Sequence, residues 1–318
     1  MKKIKLRTLL SLFSFIGLTL MSAACNNKQE LIQPYETYVA IPKTTVGTAI
    51  TNKTDLVASI SSDTSYTVSS GVEATEIQYL SSTGLSMKAF VFEVDLSDPT
   101  VKIEVSTPNN QPAFGMQQMT KQATYEDAVG HKVWAGINAD FFNMTNGAPQ
   151  GILYKEGVAI KTSVTDAVNT FFGITSDGKA VIGDQDEYAV IKNTLQEAVG
   201  GRVTLLKDGI APPQTDDRLE PRTGIGVNQD GTKVYMFVVD GRRFHYSNGM
   251  NYADMAKVMA ALGAYDAINL DGGGSSTFFI RNTPGFDDGR FVLRNWPSDN
   301  GGAERAVANG LLIISTAD

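Results

Sequence analysis

Two short runs in this 318-residue chain carry a carboxylate and an amide at a spacing suited to chemistry at a strand end. Asn138-Ala139-Asp140 and Asn269-Leu270-Asp271 each set the two groups two positions apart, so both side chains of a pair share one face of an extended segment. A carboxylate so placed can move a proton, attack a carbon or orient a water, and an amide beside it can hold a hydroxyl. Asp271 leads into Gly272-Gly273-Gly274-Ser275-Ser276. Three glycines permit backbone conformations closed to other residues, and successive amides with two hydroxyls can form an anion-binding nest; the same run also reads as a plain tight turn. No Lys-Ser/Thr follows the glycines, which excludes a Walker loop, and no glycine closes a G-x-S-x-G elbow.

Three further clusters are basic. Arg222 precedes Thr223-Gly224, Asp240-Gly241-Arg242 ends an apolar run, and Glu304-Arg305 stands near the C-terminus before Asn309. Guanidinium groups at strand ends beside glycines suit a local anion site, because their fork matches phosphate oxygens. The alternative is that each arginine pairs with a surface carboxylate. The lone histidines, His131 and His245, have no cysteine cluster beside them, so a structural zinc site is not expected and no cofactor is predicted.

The segments that must position these groups read mostly as short strands. Alternation and β-branched content predict strands at 87–96, 101–106, 133–138, 151–154, 171–175, 180–182, 203–206, 223–227, 234–239, 267–270, 276–280 and 309–314. Helices are predicted at 117–129 and 251–262, the second with Met255, Val258, Met259 and Leu262 on one face. Strands far outnumber helices, so the expected class is α+β: strand-rich mixed sheets with a few flanking helices. Residues 75–318 read as one catalytic domain, and 25–74 as a tether with an extended N-terminal segment.

The chain opens with Lys2, Lys3, Lys5 and Arg7, an apolar run from Leu9 to Met21, and then Ser22-Ala23-Ala24. That is the pattern of a signal peptide over residues 1–24, with a run shorter than the roughly 20 residues a membrane-spanning helix requires. Cys25, the single cysteine, follows directly and cannot form an internal disulfide. It is expected to become the lipid-bearing first residue of an exported, envelope-anchored lipoprotein. Loss of the leader removes four positive charges and no negative one, leaving 23 Lys and Arg against 34 Asp and Glu. Such an acidic chain argues against nucleic acid as a partner and against a polybasic membrane surface, so membrane association would come from the lipid on Cys25.

The ordered set Asn138-Ala139-Asp140-Phe141-Phe142, Arg222-Thr223, Asp240-Gly241-Arg242, Asn269 to Ser276, and Glu304-Arg305-Ala306-Val307-Ala308-Asn309 resembles the phosphodiester glycosidase family. The resemblance implies hydrolysis of a glycosyl phosphodiester of the GlcNAc-1-phosphate type, with a carbohydrate phosphodiester as partner. A departing phosphate is stable as an anion, so arginines and amides can take the place of the acid that protonates an ordinary sugar leaving group. Asp271 is then the first candidate for the carboxylate on the sugar side, with Asp140 and Glu304 as further catalytic candidates. Asn138, Asn269, Asp240, Gly272, Gly273, Ser275 and Ser276 are expected to line the substrate, and Arg222, Arg242 and Arg305 to converge on its phosphate. Asp240 reads equally as a residue that fixes its turn. A glycan-binding lipoprotein without catalysis and an ordinary glycoside hydrolase remain alternatives on these residues.

Overall fold

The computed structural model describes residues 41–165, 169–282 and 289–316. The leader and Cys25 lie outside the described residues. In chain order the strands are β1 (Val57–Ser69), β2 (Val72–Ser81), β3 (Ser86–Asp95), β4 (Val101–Ser106), β5 (Lys132–Asn138) and β6 (Leu153–Lys155). There follow β7 (Val158–Lys161), β8 (Thr170–Thr175), β9 (Ala180–Asp184), β10 (Leu195–Gly201), β11 (Val203–Leu206) and β12 (Arg222–Val227). The last are β13 (Lys233–Val239), β14 (Asp266–Leu270), β15 (Phe278–Arg281), β16 (Phe291–Leu293) and β17 (Gly310–Ser315). The helices among the described residues are α1 (Thr45–Lys53), α2 (Met119–Glu126), α3 (Gln185–Ile191) and α4 (Tyr252–Leu262). The α+β class read from the sequence is the class of the structure.

Three antiparallel sheets result, ordered β1-β2-β3-β13-β12-β14-β11, β7-β6-β10-β8-β9 and β16-β15-β5-β17-β4. Period-two alternation explains how they stack. Along β13, Val234, Met236 and Val238 enter a core shared by all three sheets, while Tyr235, Phe237 and Val239 face a second core covered by α1 and α4. Leu311 and Ile313 of β17 face the shared core, and Leu312 and Ile314 the apolar cluster under α2. The rings of Phe92 from the seven-stranded sheet and Phe278 from β15 stack at 3.8 Å in the shared core. Both faces of these central strands are apolar because both are covered, which is why they read as near-continuous hydrophobic runs.

Helix α4 is fixed at both ends by its own sequence. The Asn251 side chain accepts from the Asp254 amide at 2.8 Å, and Gly263, at φ 104°, ends the helix in the left-handed region. Its approach to β12 depends on missing side chains: a Cβ on Gly224 would meet Met255 at 2.8 Å, and one on Gly226 would meet Ala264 at 2.7 Å.

Part of the stretch read from the sequence as tether is folded into this framework. Thr44 caps α1 by accepting from the Gly47 amide at 2.8 Å, and β1 pairs along its length with β2 at the edge of the large sheet. Only three of the thirteen side chains of β1 are apolar beyond alanine, Val57, Ile60 and Val68, with Tyr66 as its single aromatic, so the Ser- and Thr-rich edge strand offers little alternation to read. Strands β2, β7, β10 and β16 and helix α3 were also not evident from periodicity; α3 is held by a capping box between Asp184 and Glu187. Among the described residues no helix is long and apolar enough to cross a membrane.

Candidate functional site

The seven-stranded sheet and the β5 sheet meet where Asn138 and Asp271 lie, at the ends of β5 and β14. Asn138, expected to hold a substrate hydroxyl, is instead the rivet of this junction. Its Oδ1 accepts from the Thr223 hydroxyl at 2.8 Å and the Thr277 amide at 2.9 Å, and its Nδ2 donates to the Asp271 carbonyl at 2.7 Å. The Asp271 amide completes the tie by donating to Ala139 O at 2.8 Å. One buried amide thus registers both sheets, and with them both carboxylates.

Asp140 is buried, one residue past this joint. Its Oδ2 accepts from the Gly151 amide at 2.8 Å, while its Oδ1 is buried without a protein partner among the described residues. Burial, reinforced by the charge of Asp271, pushes the Asp140 carboxyl up to about 7, against the pull of the Gly151 hydrogen bond and of Lys161. Asp271 is partly exposed, and its Oδ1 accepts from the Gly272 amide at 3.0 Å. Desolvation raises it to about 6, opposed by a hydrogen bond from Ser275 and by the charges of Arg305 and Arg202. Two carboxylates at the ends of strands in different sheets thus both have elevated proton affinity, and the charge of Asp271 acts on Asp140.

The glycine run after Asp271 is a crowded turn rather than an open nest. The Gly273 amide donates to Pro221 O at 2.8 Å, and the Ser275 and Ser276 amides return to Gly272 and Gly273 carbonyls. Glycine is required here by contact as well as by the φ of 63° at Gly273. A Cβ on Gly272 would lie 2.6 Å from Pro221 O, and one on Gly273 would meet the Arg242 guanidinium at 3.4 Å. Ser275 Oγ accepts from Arg305 Nη1 at 3.2 Å, whereas Ser276 Oγ is buried without a protein partner.

Of the three arginines expected to converge, two do. Arg242 and Arg305 both reach Asp299, across 3.6 Å in the case of Arg242 Nη1, and Arg242 Nε also donates to Glu220 at 2.6 Å. The expectation for Arg222 is corrected. Its guanidinium is stacked over the Tyr252 ring at 4.0 Å and donates to Met250 O, the Tyr252 hydroxyl and Arg218 O, so each of its three nitrogens has a partner within the protein. It fastens the approach to β12 onto the start of α4.

Asp240 and Glu304 are corrected in the same sense. The buried Asp240 carboxylate accepts from Asn295 Nδ2 at 3.0 Å, the Trp296 amide at 2.8 Å and the Tyr246 hydroxyl at 3.0 Å, binding two loops together. Glu304 turns to α2, where it accepts from the Thr120 amide at 3.0 Å and hydroxyl at 2.7 Å, favourably placed at the positive end of that helix. Asn269 donates to Thr223 O and Leu270 O, while its buried Oδ1 lacks a protein partner.

Three participants had no role assigned to them from the sequence. Arg202 lies over the Phe141 ring at 3.8 Å and donates to Gln150 Oε1 at 2.6 Å, and its charge acts on Asp271. Its Gly200-Gly201-Arg202 setting echoes Gly241-Arg242 and was the available signal. Lys161 donates to the carbonyls of Gln150 and Gly151, holding the loop that grips Asp140. Asn309 Oδ1 accepts from the Asp140 amide at 2.9 Å, leaving its buried Nδ2 without a protein partner. At Asp140, then, two buried polar atoms, Asp140 Oδ1 and Asn309 Nδ2, have no protein partner among the described residues.

Paired carboxylates are the machinery of glycosidic-bond hydrolysis, and flanking guanidiniums suit an anionic group on one side of that bond. The sequence profile of the phosphodiester glycosidase family matches residues 131–314, which contain every one of these side chains. The chain belongs to the phosphodiester glycosidase family. It is 27% identical over 225 residues to N-acetylglucosamine-1-phosphodiester alpha-N-acetylglucosaminidase of Mus musculus, covering 64% of this chain and 41% of that one. The Homo sapiens enzyme of the same name is 29% identical over 183 residues, covering 51% and 33%. A prophage-derived uncharacterized protein, YomE of Bacillus subtilis, is 28% identical over 242 residues, covering 71% and 33%. The chain therefore spans less than half the length of these relatives. The catalytic domain of the zebrafish enzyme has the same fold, with a TM-score of 0.58 at 21% identity over 79% of this chain and 87% of that one.

Proposed function

We propose that this protein is an exported hydrolase that cleaves the bond between a sugar's anomeric carbon and a phosphodiester, with a GlcNAc-1-phosphate linkage as the leading substrate. The observation that carries this reading is the meeting of Asp140 and Asp271 beside Arg305, Arg242 and Arg202 at one sheet junction. Asp271, ionised, acts at the anomeric carbon or on the water that attacks it. Arg242 and Arg305 hold the phosphate, whose departing oxygen needs little protonation, and the paired arginines disperse its charge. As the water's oxygen bonds to the anomeric carbon and the bond to the phosphate oxygen breaks, Asp271 takes the proton the water gives up, and what protonation the departing oxygen needs comes from Asp140, so the pair neither gains nor loses a proton.

Charge-assisted hydrogen bonds contribute about 1.5–3 kcal/mol each, so the arginine side of the site predicts a marked preference for a charged leaving group. Turnover of a GlcNAc-1-phosphodiester should exceed that of the matching aryl glycoside by at least about tenfold in kcat/KM. Equal turnover of the two would point to an ordinary glycoside hydrolase, and binding with no turnover of either to a glycan-binding protein.

The envelope setting rests on the sequence. A charged leader, a short apolar run and small residues before Cys25 support lipid attachment at that cysteine. Cys25→Ala should move the protein from the detergent-requiring membrane fraction to the soluble or unprocessed fraction. Unchanged fractionation would remove the lipoprotein reading and leave the catalytic one intact.

A further inference from the structure

The anion grip is already occupied by part of the protein itself. Asp299, on the loop between β16 and β17, lays its carboxylate on the glycine turn: a Cβ built on Gly274 would stand 2.1 Å from Asp299 Oδ2. The same hypothetical atom would lie 2.6 Å from Arg305 Nη2, and its neighbour on Gly273 lies against the Arg242 guanidinium. Asp299 Oδ2 pairs with Arg305, and Asp299 Oδ1 faces Arg242 Nη1 at 3.6 Å. Ser298 Oγ donates to Asp299 Oδ1 at 3.1 Å and accepts from Arg242 Nη1 at 3.4 Å. An anion held between two guanidiniums on a glycine surface is what a bound phosphate would look like at this position.

Two features make this contact displaceable. The Asp299 side chain retains 32% of its exposure, and its arginine partners 27% and 47%, so the pairs are solvated and each is worth little. The residues that follow, Gly301 and Gly302, adopt φ of 67° and 94°, conformations in which glycine carries no side-chain penalty and can rearrange. By contrast, the loop is anchored upstream, where the Trp296 amide donates to Asp240 at 2.8 Å. Displacement then requires only that the partly exposed Asp299 side chain turn away from the arginines, while the base of the loop stays fixed.

We infer that Asp299 is an internal competitor for the phosphate subsite, a carboxylate that an anionic ligand must displace from Arg242 and Arg305 before it binds. This inference rests on the assignment of those arginines to the phosphate in the proposed function. Its consequence is a specificity filter: a phosphodiester, with its delocalised charge and two free oxygens, can replace the carboxylate on both arginines, whereas a neutral sugar cannot. The opposite role would be that Asp299 merely orients the two guanidiniums, in which case its loss would weaken anion binding.

Binding of inorganic phosphate to the full chain, measured by calorimetry for wild type and Asp299→Asn, separates these roles without any need for turnover. Asp299→Asn keeps the shape of the side chain and removes its charge, and should tighten phosphate binding by about threefold to tenfold, the scale expected for partly exposed ion pairs. The gain should shrink at high salt, and KM for a sugar phosphodiester should fall in parallel while KM for a neutral aryl glycoside stays put. Phosphate binding that is unchanged, weaker or absent in both proteins overturns the inference. Tighter phosphate binding without diester cleavage by either protein would instead sink the proposed function and leave the internal competitor standing.

Discussion

Asp271→Asn is expected to lower kcat by on the order of a thousandfold while KM changes little, the pattern of an interaction made in the transition state rather than in the ground state. The substitution keeps the size of the side chain and the acceptor for the Gly272 amide, so the turn through Gly273 should survive. What it removes is the negative charge opposite Arg305 and Arg202. Because the proposed phosphate grip is that of Arg242 and Arg305, substrate should still bind. The measurement is steady-state kinetics on a sugar phosphodiester, with circular dichroism to check the fold. Retained full activity would move the catalytic carboxylate to Asp140, since Glu304 is committed to the first turn of α2.

That reassignment of Glu304 shows what the sequence could and could not disclose. Spacing alone placed Asp140 and Asp271 on strand ends with polar neighbours, because a two-residue period is a local property that survives into the fold. The strands around them were legible for the same reason: β13 and β17 are apolar on both faces, and β5, β12 and β14 carry one apolar face backed by small or polar residues. Which side chains then turn toward the site is not local. Asn138, Arg222, Asp240 and Glu304 look like Asp271 and Arg305 in sequence, polar residues next to glycine or at a strand end. In the structure each satisfies a different segment, at Thr277, Met250, Trp296 and, in α2, Thr120 respectively. Every buried polar group must find a partner, so the groups nearest a catalytic centre are often those that hold it together. The edge strand β1 escaped notice for the converse reason. A Ser- and Thr-rich run with one solvent-facing side has little apolar alternation, and its place in the sheet is set by pairing with β2.

Asp140→Asn should trade activity for stability, and pH separates the two effects. Burial and the nearby charge of Asp271 raise the folded-state Asp140 carboxyl to about 7 from the ordinary aspartate value of 3.8. A raised value means that the folded state holds the proton more tightly than the unfolded chain. The associated stability is present below about pH 4, drains away as pH rises toward 7, and is gone above it. Asparagine mimics the protonated form at every pH. The variant should therefore match wild type near pH 4 and exceed it above pH 7 by on the order of a few kcal/mol, read as a higher Tm. Turnover should move the other way, falling by about a hundredfold or more through loss of the proton that the pair exchanges. The wild-type rate should rise as Asp271 ionises near pH 6 and fall as Asp140 ionises near pH 7, the two limbs belonging to the pair as a coupled unit. In Asp140→Asn the alkaline limb should vanish from the residual rate. The acidic limb should stay near pH 6, because Asp140 is still protonated, and so as neutral as asparagine, where Asp271 ionises. A Tm difference that is the same at pH 4 and pH 8, together with an alkaline limb that persists in the variant, would remove Asp140 from the proton-holding role.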